Sequence, residues 1–446
     1  MTRVGATQAP PASIRWLVLV LTSLTMFGNY YVYDSIAPVA DILRTQLGFS
    51  STQIGTLNAI YSAPNIVMVL IGGVLVDRFG TRNATLGFTG ICLVGALLQA
   101  ASETVGAVPA VSATIGTLRP GMSSTFAMMA VGRLIFGLGA ESMIVAVTAA
   151  LGHWFKGRQL GFAMGLNLSI ARAGSYAADL SPTWAGAAYE SGWRGPMLIA
   201  FAFALLSFIA AAAYWVMERS AARTFALSEM PGSDRFVWSD LFRFSGSYWY
   251  IVGLCVTFYS VIFPFRSTFA IEYFQNAHGL TLERAGQMNG YVFLAAIFAT
   301  PLFGLMADRL GRRSIAMFFG SLLLLAVFPT LLYTNWDLWV STVMIGIAFS
   351  LVPAVLWASV PYLVDAVRLG TALGLMTMLQ NVGLTVVNLA AGALNDRAGA
   401  SATNPAGYEP MLWLFTGLSV AGLVFSWLLR QREVGPHGHG LETVRA

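Results

Sequence analysis

The chain has 446 residues, of which 57% are hydrophobic and only 10% charged, with a formal net charge of +5. Ordinary soluble domains carry about 25% charged residues, so this composition excludes a water-soluble globular fold and points to a polytopic membrane protein. Two cysteines and four histidines leave no disulfide framework or metal cluster to build, and without a soluble domain to hold a basic patch the positive balance does not signal nucleic-acid binding.

A hydrocarbon core about 30 Å thick needs roughly 20 apolar residues per helix. Twelve such spans are predicted, near 15–40, 53–76, 83–102, 124–152, 159–182, 195–218, 247–271, 285–307, 314–334, 336–362, 369–395 and 410–430. The first begins at Ile14, shows no small-residue cleavage site and is read as retained, not as a signal peptide. It carries Asn29, Tyr30 and Asp34, and the second carries Tyr61 and Asn65. After the second span comes "GGVLVDRFGTR" (72–82), and a Gly/Pro/Ser-rich outer loop at 103–123 precedes the fourth, which holds Arg133 and Glu141. The fifth span holds Asn167, Arg172 and Asp179. A lone Arg at the bilayer centre costs at least a few kcal/mol, so Arg172 must face a cavity, a partner or a ligand. A polar linker at 219–246 bears Arg219, Arg223, Arg235 and Arg243; the seventh span then carries Tyr259, Arg266 and Glu272. The eighth ends in "FGLMADRLGRR" (303–313), the tenth contains Trp357, and the eleventh contains Gln380 and Asn381.

Two of these stretches repeat. The loop after span 2 recurs after span 8, and "LGFAMGLNLSIARAG" (160–174) in span 5 is echoed by "LGTALGLMTMLQNVG" (369–383) in span 11. The second pair is separated by fewer residues than the first, which fits an insertion in the first half, with 103–123 as its candidate. The predicted organisation is a tail (1–13), a six-helix bundle (14–218), a linker (219–246), a second six-helix bundle (247–430) and a tail (431–446). Most of the 25 Lys and Arg residues fall in the termini and in loops after even-numbered spans, which places both termini in the cytoplasm.

The repeated G-x-x-x-D-R-x-G-x-R loop, here Gly73, Asp77, Arg78, Gly80 and Arg82 and again Gly304, Asp308, Arg309, Gly311 and Arg312 with Arg313 beside it, resembles the signature of the major facilitator superfamily. That resemblance covers essentially the whole chain and implies an all-α fold of twelve transmembrane helices in two pseudo-symmetric bundles. "GNYYVYDSIAP" (28–38), "GRLIFGLGAESMIVA" (132–146), "WFKGRQLGFAMGLNLSIARAGS" (154–175) and "LQNVGLTVVN" (379–388) look like the branch containing the lysosomal dipeptide carriers and their bacterial relatives, which implies movement of small peptides by alternating access. Span 5 lacks the G-P-x-x-G-G pattern of drug/proton antiporters. In the family's G-R-x-x-x-G-x-G pattern, matched by Gly132, Arg133, Gly137 and Gly139, the Arg resembles an outer-gate or coupling element.

Helix rise supplies an independent test. Counting from Arg158, Arg172 lies roughly 21 Å deep; counting back from His153, Glu141 lies roughly 18 Å deep on the adjacent, antiparallel span. The same ladder brings Asn29, Tyr30, Asn65, Tyr259, Gln380 and Asn381 to that level, where secondary transporters hold their substrates. A zwitterion suits such a site. Its carboxylate takes a bidentate bond from Arg172, its amine meets Glu141, and Asn65, Asn167, Gln380 and Asn381 serve a peptide bond while Tyr61 and Trp357 wall its side chains. The alternatives are a ligand-free salt bridge between spans 4 and 5, or an organic-anion, monocarboxylate or amino-acid carrier in which Glu141 only balances charge. Either type could be proton-coupled through Glu141 or Asp34.

Asp77 with Arg78 and Arg82, and Asp308 with Arg309, Arg312 and Arg313, read as salt-bridge latches between bundles, or else as charged turns that enforce topology. Arg133 and Asp34 are gating or coupling candidates, or a pair with each other; Arg266, Glu272 and Asp179 line an outer vestibule or snorkel. No span holds a His relay or metal cluster, and no phosphate-binding loop precedes a Lys, so neither an enzyme nor a cofactor is expected. The expected partners are a small-molecule substrate and the lipid bilayer, the expected state is a monomer in a bacterial inner membrane, and no motif specifies an accessory subunit.

Overall fold

The computed structural model describes residues 11–119, 121–155, 159–221, 244–365, 368–436 and 438–443. Most of the expected linker, with Arg223, Arg235 and Arg243, and the depth marker Arg158 lie outside the described residues. Twelve long helices follow in chain order: α1 Ala12–Asp34, α2 Ser51–Phe79, α3 Thr81–Ala100, α4 Ser124–Phe155, α5 Leu160–Asp179, α6 Arg194–Ala221, α7 Gly246–Pro264, α8 Leu282–Leu310, α9 Arg313–Tyr333, α10 Leu338–Leu363, α11 Leu369–Ala398 and α12 Glu409–Val434. Eleven helical stretches among the described residues are long and apolar enough to cross a membrane. The helix outside that set is α5, whose Asn167, Arg172, Ser175 and Asp179 dilute an otherwise apolar 20-residue helix.

Local sequence explains the departures from straight helices. Pro38 sits in a 3-10 turn, Ala37–Val39, that joins α1 to a further helix, Ala40–Leu47. In α7, Pro264 is followed by a π turn, Phe265–Phe269, before helix resumes as Ala270–His278. Such widened turns lodge an extra residue in a helix and concentrate at functional positions. The 103–123 loop is itself partly helical, as Ser102–Gly106 and Pro109–Leu118.

Two compact units emerge. One comprises Met1–Tyr33, Val67–Ser175 and Met197–Ser233; the other comprises Asp34–Ile66, Tyr176–Pro196 and Asp234–Ala446. Lipid tails are as apolar as leucine, so helices within each unit hold together by close packing and interhelical hydrogen bonds. In the first unit small residues make this possible. A Cβ at Gly132 would lie 2.8 Å from the Gln99 backbone nitrogen, and one at Gly139 would lie 2.5 Å from the Phe88 carbonyl oxygen, so only glycine lets α4 approach α3 this closely. Tyr31 of α1 stacks on Phe203 of α6 with ring centroids 4.1 Å apart. The second unit is packed with aromatics around the π turn: Phe265 meets Phe328 of α9 edge-on at 5.3 Å and Phe415 of α12 at 5.9 Å. Edge-to-face pairs of this kind add about 1 kcal/mol beyond area burial, which fixes the turn and the residue beside Phe265, Arg266.

Candidate functional site

Arg172 is buried, with 7% of its surface exposed, in the middle of α5. Two contacts set that helix against α1: the Asn167 amide donates to the Ser23 hydroxyl at 3.1 Å, and a Cβ on Gly174 would strike the Phe27 carbonyl. Glu141, half-buried, belongs to the same compact unit. Its neighbour Ser142 donates to the Met68 carbonyl of α2 at 3.1 Å, and on the other side Gly139 abuts α3, so α4 is gripped at this level. Asn29 is buried with its Oδ1 unpaired, and Tyr30 packs half-buried against the unit's apolar core. Asn29, Tyr30, Glu141, Asn167 and Arg172 thus share one unit.

The remaining expected residues lie in the second unit. Trp357 of α10 donates its indole N–H to the Tyr259 hydroxyl of α7 at 2.8 Å, with the rings edge-on at 6.4 Å. The Cys255 thiol donates to Gln380 Oε1 at 3.6 Å. Asn65 and Asn381 spend their amide N–H groups on their own helices, to the carbonyls of Tyr61 at 2.9 Å and Thr377 at 3.0 Å. Asn65 Oδ1 has no partner and remains an available acceptor.

Charges near the far ends of the helices, away from the 77–82 and 308–313 turns, gather differently from expectation. Asp34 is bound by Arg266, which also donates to Asp179 Oδ2 at 2.9 Å. Arg133 donates instead to the carbonyls of Val32 at 2.9 Å and Tyr33 at 2.5 Å. Glu272 is held by Arg44 and by the Tyr408 hydroxyl at 2.7 Å. A polar ladder, Asn58 to Thr268 at 2.7 Å and Thr268 to Asn388 at 2.8 Å, ties α2, α7 and α11 together. Arg44, Tyr408, Thr268 and Asn388 were not among the residues the sequence singled out. Their signal was available as polar side chains inside apolar runs, but their partners are more than a hundred residues away.

The two D-R-x-G turns both reverse through a glycine with positive φ, 77° at Gly80 and 67° at Gly311, a conformation that glycine adopts at little cost. Asp77 is exposed. Asp308 accepts from Arg313 at 2.8 Å, and Arg313 also donates to the Ala358 carbonyl at 2.9 Å and lies 4.6 Å over the Tyr362 ring. Arg309 and Arg312 are exposed, Arg82 is half-buried, and Arg78 stands 5.6 Å over the ring of Phe79.

Residues 22–290 and 265–444 match the family model of the Major Facilitator Superfamily. The chain is 32% identical to the lysosomal dipeptide transporter MFSD1 of Danio rerio, over 86% of this chain and 81% of that one, and 30% identical to its Homo sapiens counterpart with the same coverage. It is 22% identical to a probable sulfoacetate transporter, SauU of Cupriavidus necator, over 86% of this chain and 88% of the relative. Among solved structures it resembles the nucleoside transporter NupG, with a TM-score of 0.69 and 12% identity, covering 93% of this chain and 99% of that one. A D-xylose-proton symporter gives 0.68 at 14%, covering 92% and 97%.

Proposed function

Because the chain belongs to the Major Facilitator Superfamily and is an integral membrane transporter rather than an enzyme, we propose that its cargo is small zwitterionic peptides, dipeptides above all, moved by alternating access. The observation that carries this reading is a 7%-exposed Arg172 sharing one compact unit with a half-buried Glu141. An intramembrane cation of this kind marks a substrate or ion path. Arg172 binds the peptide carboxylate and Glu141 binds the amine. Asn29, Tyr30 and Asn167 offer the peptide hydrogen bonds, and Tyr61, Asn65, Tyr259, Trp357, Gln380 and Asn381 are proposed as further substrate contacts. The similarity to the lysosomal dipeptide transporters MFSD1 supports the same cargo. The likeness to a probable sulfoacetate carrier favours a second reading, an organic-anion carrier that uses Arg172 alone. In either case the chain works as a monomer with both termini cytoplasmic in a bacterial inner membrane.

The test is a thermal-shift and competition series on purified full-length protein with dipeptides, N-acetylated dipeptides, amino acids and monocarboxylates. Free dipeptides compete well and N-acetylated ones poorly; equal competition by simple monocarboxylates refutes the peptide reading. Lys keeps the charge but loses the planar fork, so Arg172→Lys weakens uptake into proteoliposomes and Arg172→Ala abolishes it. Arg172→Ala combined with Glu141→Gln restores stability lost to the unmatched carboxylate but not uptake. Near-normal uptake by that double variant would show that the pair is only structural.

A further inference from the structure

A groove of about 270 Å³ lies between the start of α7 and the end of α12, lined by Tyr250, Leu428, Gln431, Arg432, Gly435 and Pro436. All six belong to one compact unit, and none is among the residues proposed to hold cargo. Local sequence shapes it. α12 stops at Val434, the Gly435 N–H donates back to the Arg432 carbonyl at 3.2 Å, and Pro436, with no N–H to continue a helix, turns the chain into one wall. Across from it, Gly246 opens α7. A Cβ there would lie 2.7 Å from Arg432 Nη1 and 3.0 Å from its Cζ, so only a glycine lets the guanidinium rest on the first turn of α7.

That position sets a cation at the positive end of a helix, an unfavourable juxtaposition until an anion joins the two. Arg432 Nε is buried without a hydrogen-bond partner. The carboxylate next in sequence is already engaged: Glu433 Oε1 accepts from the Ser247 hydroxyl at 2.6 Å and lies 3.0 Å from His439 Nδ1, while Oε2 accepts from the His439 N–H at 2.8 Å. None of the six lining residues is acidic. The groove also opens toward lipid. Val420, Val424, Trp427 and Val434 of α12 are each at least 45% exposed, and Gln431 is exposed on the same stripe at helical spacing. Trp249 of α7 is exposed as well. Tryptophans gather at the headgroup level of a bilayer, and Arg432 lies roughly 7.5 Å beyond Trp427 along the helix.

We propose that this groove binds the phosphodiester headgroup of an anionic phospholipid, joining the start of α7 to the end of α12. Two non-bridging oxygens take a fork of charge-assisted bonds from Arg432, its Nε among the donors. The Tyr250 hydroxyl and the Gln431 amide serve the other headgroup oxygens, and Leu428 meets the first methylenes of an acyl chain. Basic pockets between membrane helices hold anionic headgroups in this way. A zwitterionic headgroup is disfavoured, because its cation finds only Arg432 and a positive helix end. The inference is independent of what the cargo is.

The experiment titrates the full chain, delipidated in detergent, with dioctanoyl phosphatidylglycerol or dioctanoyl phosphatidylcholine and counts lipid adducts by native mass spectrometry. The first phosphatidylglycerol should bind about tenfold more tightly than the first phosphatidylcholine, and Arg432→Gln should weaken phosphatidylglycerol binding about tenfold, the worth of one charge-assisted hydrogen bond. Arg219→Gln, which removes an exposed charge at the end of α6, should leave it unchanged. Equal affinity for the two lipids, wild-type affinity in Arg432→Gln or an equal loss in Arg219→Gln overturns the proposal. Displacement of phosphatidylglycerol by an equal concentration of inorganic phosphate overturns it in favour of a free-anion site. Should Arg432→Gln not fold, Gly246→Ala decides: its Cβ pushes the guanidinium aside while keeping the charge, and wild-type affinity in that variant overturns the site.

Discussion

The turn after α2 and the turn after α8 are written in nearly the same letters, yet they are anchored by opposite charges. In both, a left-handed glycine ends one helix and the first residue of the next helix is buried: Thr81 at the start of α3 and Arg313 at the start of α9. Thr81 donates to Glu218 of α6 at 3.1 Å, and the same carboxylate receives the Tyr214 hydroxyl and, at 3.4 Å, the Trp154 indole N–H. The first turn is thus anchored by a buried anion fed by neutral donors. The second is anchored by a buried cation, Arg313, and by the C-terminal segment. The Arg313 N–H donates to the Leu441 carbonyl at 3.0 Å, and the Ser314 N–H to Glu442 Oε1 at 3.1 Å. The repeat preserves the path of the chain and the need for a buried anchor, while each half chooses its own.

The sharpest way to break that comparison is at Glu218. Glu218→Ala strands the Thr81 hydroxyl and the Trp154 indole N–H, leaving the Tyr214 hydroxyl only Thr81 as acceptor at 3.3 Å, and should cost about 3 kcal/mol, by the usual penalty for unsatisfied groups. Glu218→Gln keeps an acceptor and should recover more than half of the loss. Reversible unfolding of the full chain in mixed micelles measures both; equal losses for the two variants would mean that the charge, not the hydrogen bonding, anchors the turn.

The second turn should respond less, because Asp308 is partly exposed and is rehydrated when its partner goes. Arg313→Ala should cost about 2 kcal/mol in the same assay. Asp308→Asn leaves Arg313 with the Ala358 carbonyl and the Tyr362 ring, and should cost less than Arg313→Ala. As a latch, however, Asp308 should behave like Asp77. Either Asp→Asn change should raise labelling of a cysteine introduced on the cytoplasmic side, and unchanged labelling in both variants would reduce the motif to a topology signal.

Both turns were legible in the sequence because the motif states its own geometry: a glycine where φ must be positive, and charges at a helix end. The spans were equally legible, since long apolar runs have few other readings. The anchors were not. Glu218 sits beside Arg219 at the end of α6 and reads as a solvated helix terminus, while its donors arrive from α3 and α4. Depth along a helix could be counted from its rise, but the direction a side chain faces could not. Asn65 and Asn381 turn their amide N–H groups onto their own helices. The π turn after Pro264 also lay beyond a regular ladder, and with it the meeting of Arg266 with Asp34 and Asp179, because an extra residue in the turn shifts everything that follows.

The smallest effect comes from a difference in backbone between the two turns. α3 begins directly after Gly80, whereas α9 begins one residue later, leaving Arg312 in the left-handed region at φ 50° and ψ 39°. A non-glycine residue there carries about 1 kcal/mol of strain. The Arg312 side chain is exposed, and its backbone N–H, which donates to the Glu442 carbonyl at 3.2 Å, survives any substitution except proline. Arg312→Gly removes the strain but enlarges the freedom of the unfolded chain, which offsets roughly half of the gain. The variant should therefore be more stable by about 0.5 kcal/mol, whereas Thr81→Gly at the matching place in the first turn should be destabilising, because Thr81 is helical and its hydroxyl is bonded to Glu218. If Arg312→Gly lowers stability instead, the Arg312 side chain has a bonding role that its exposure does not reveal, and the two turns differ by more than their anchors.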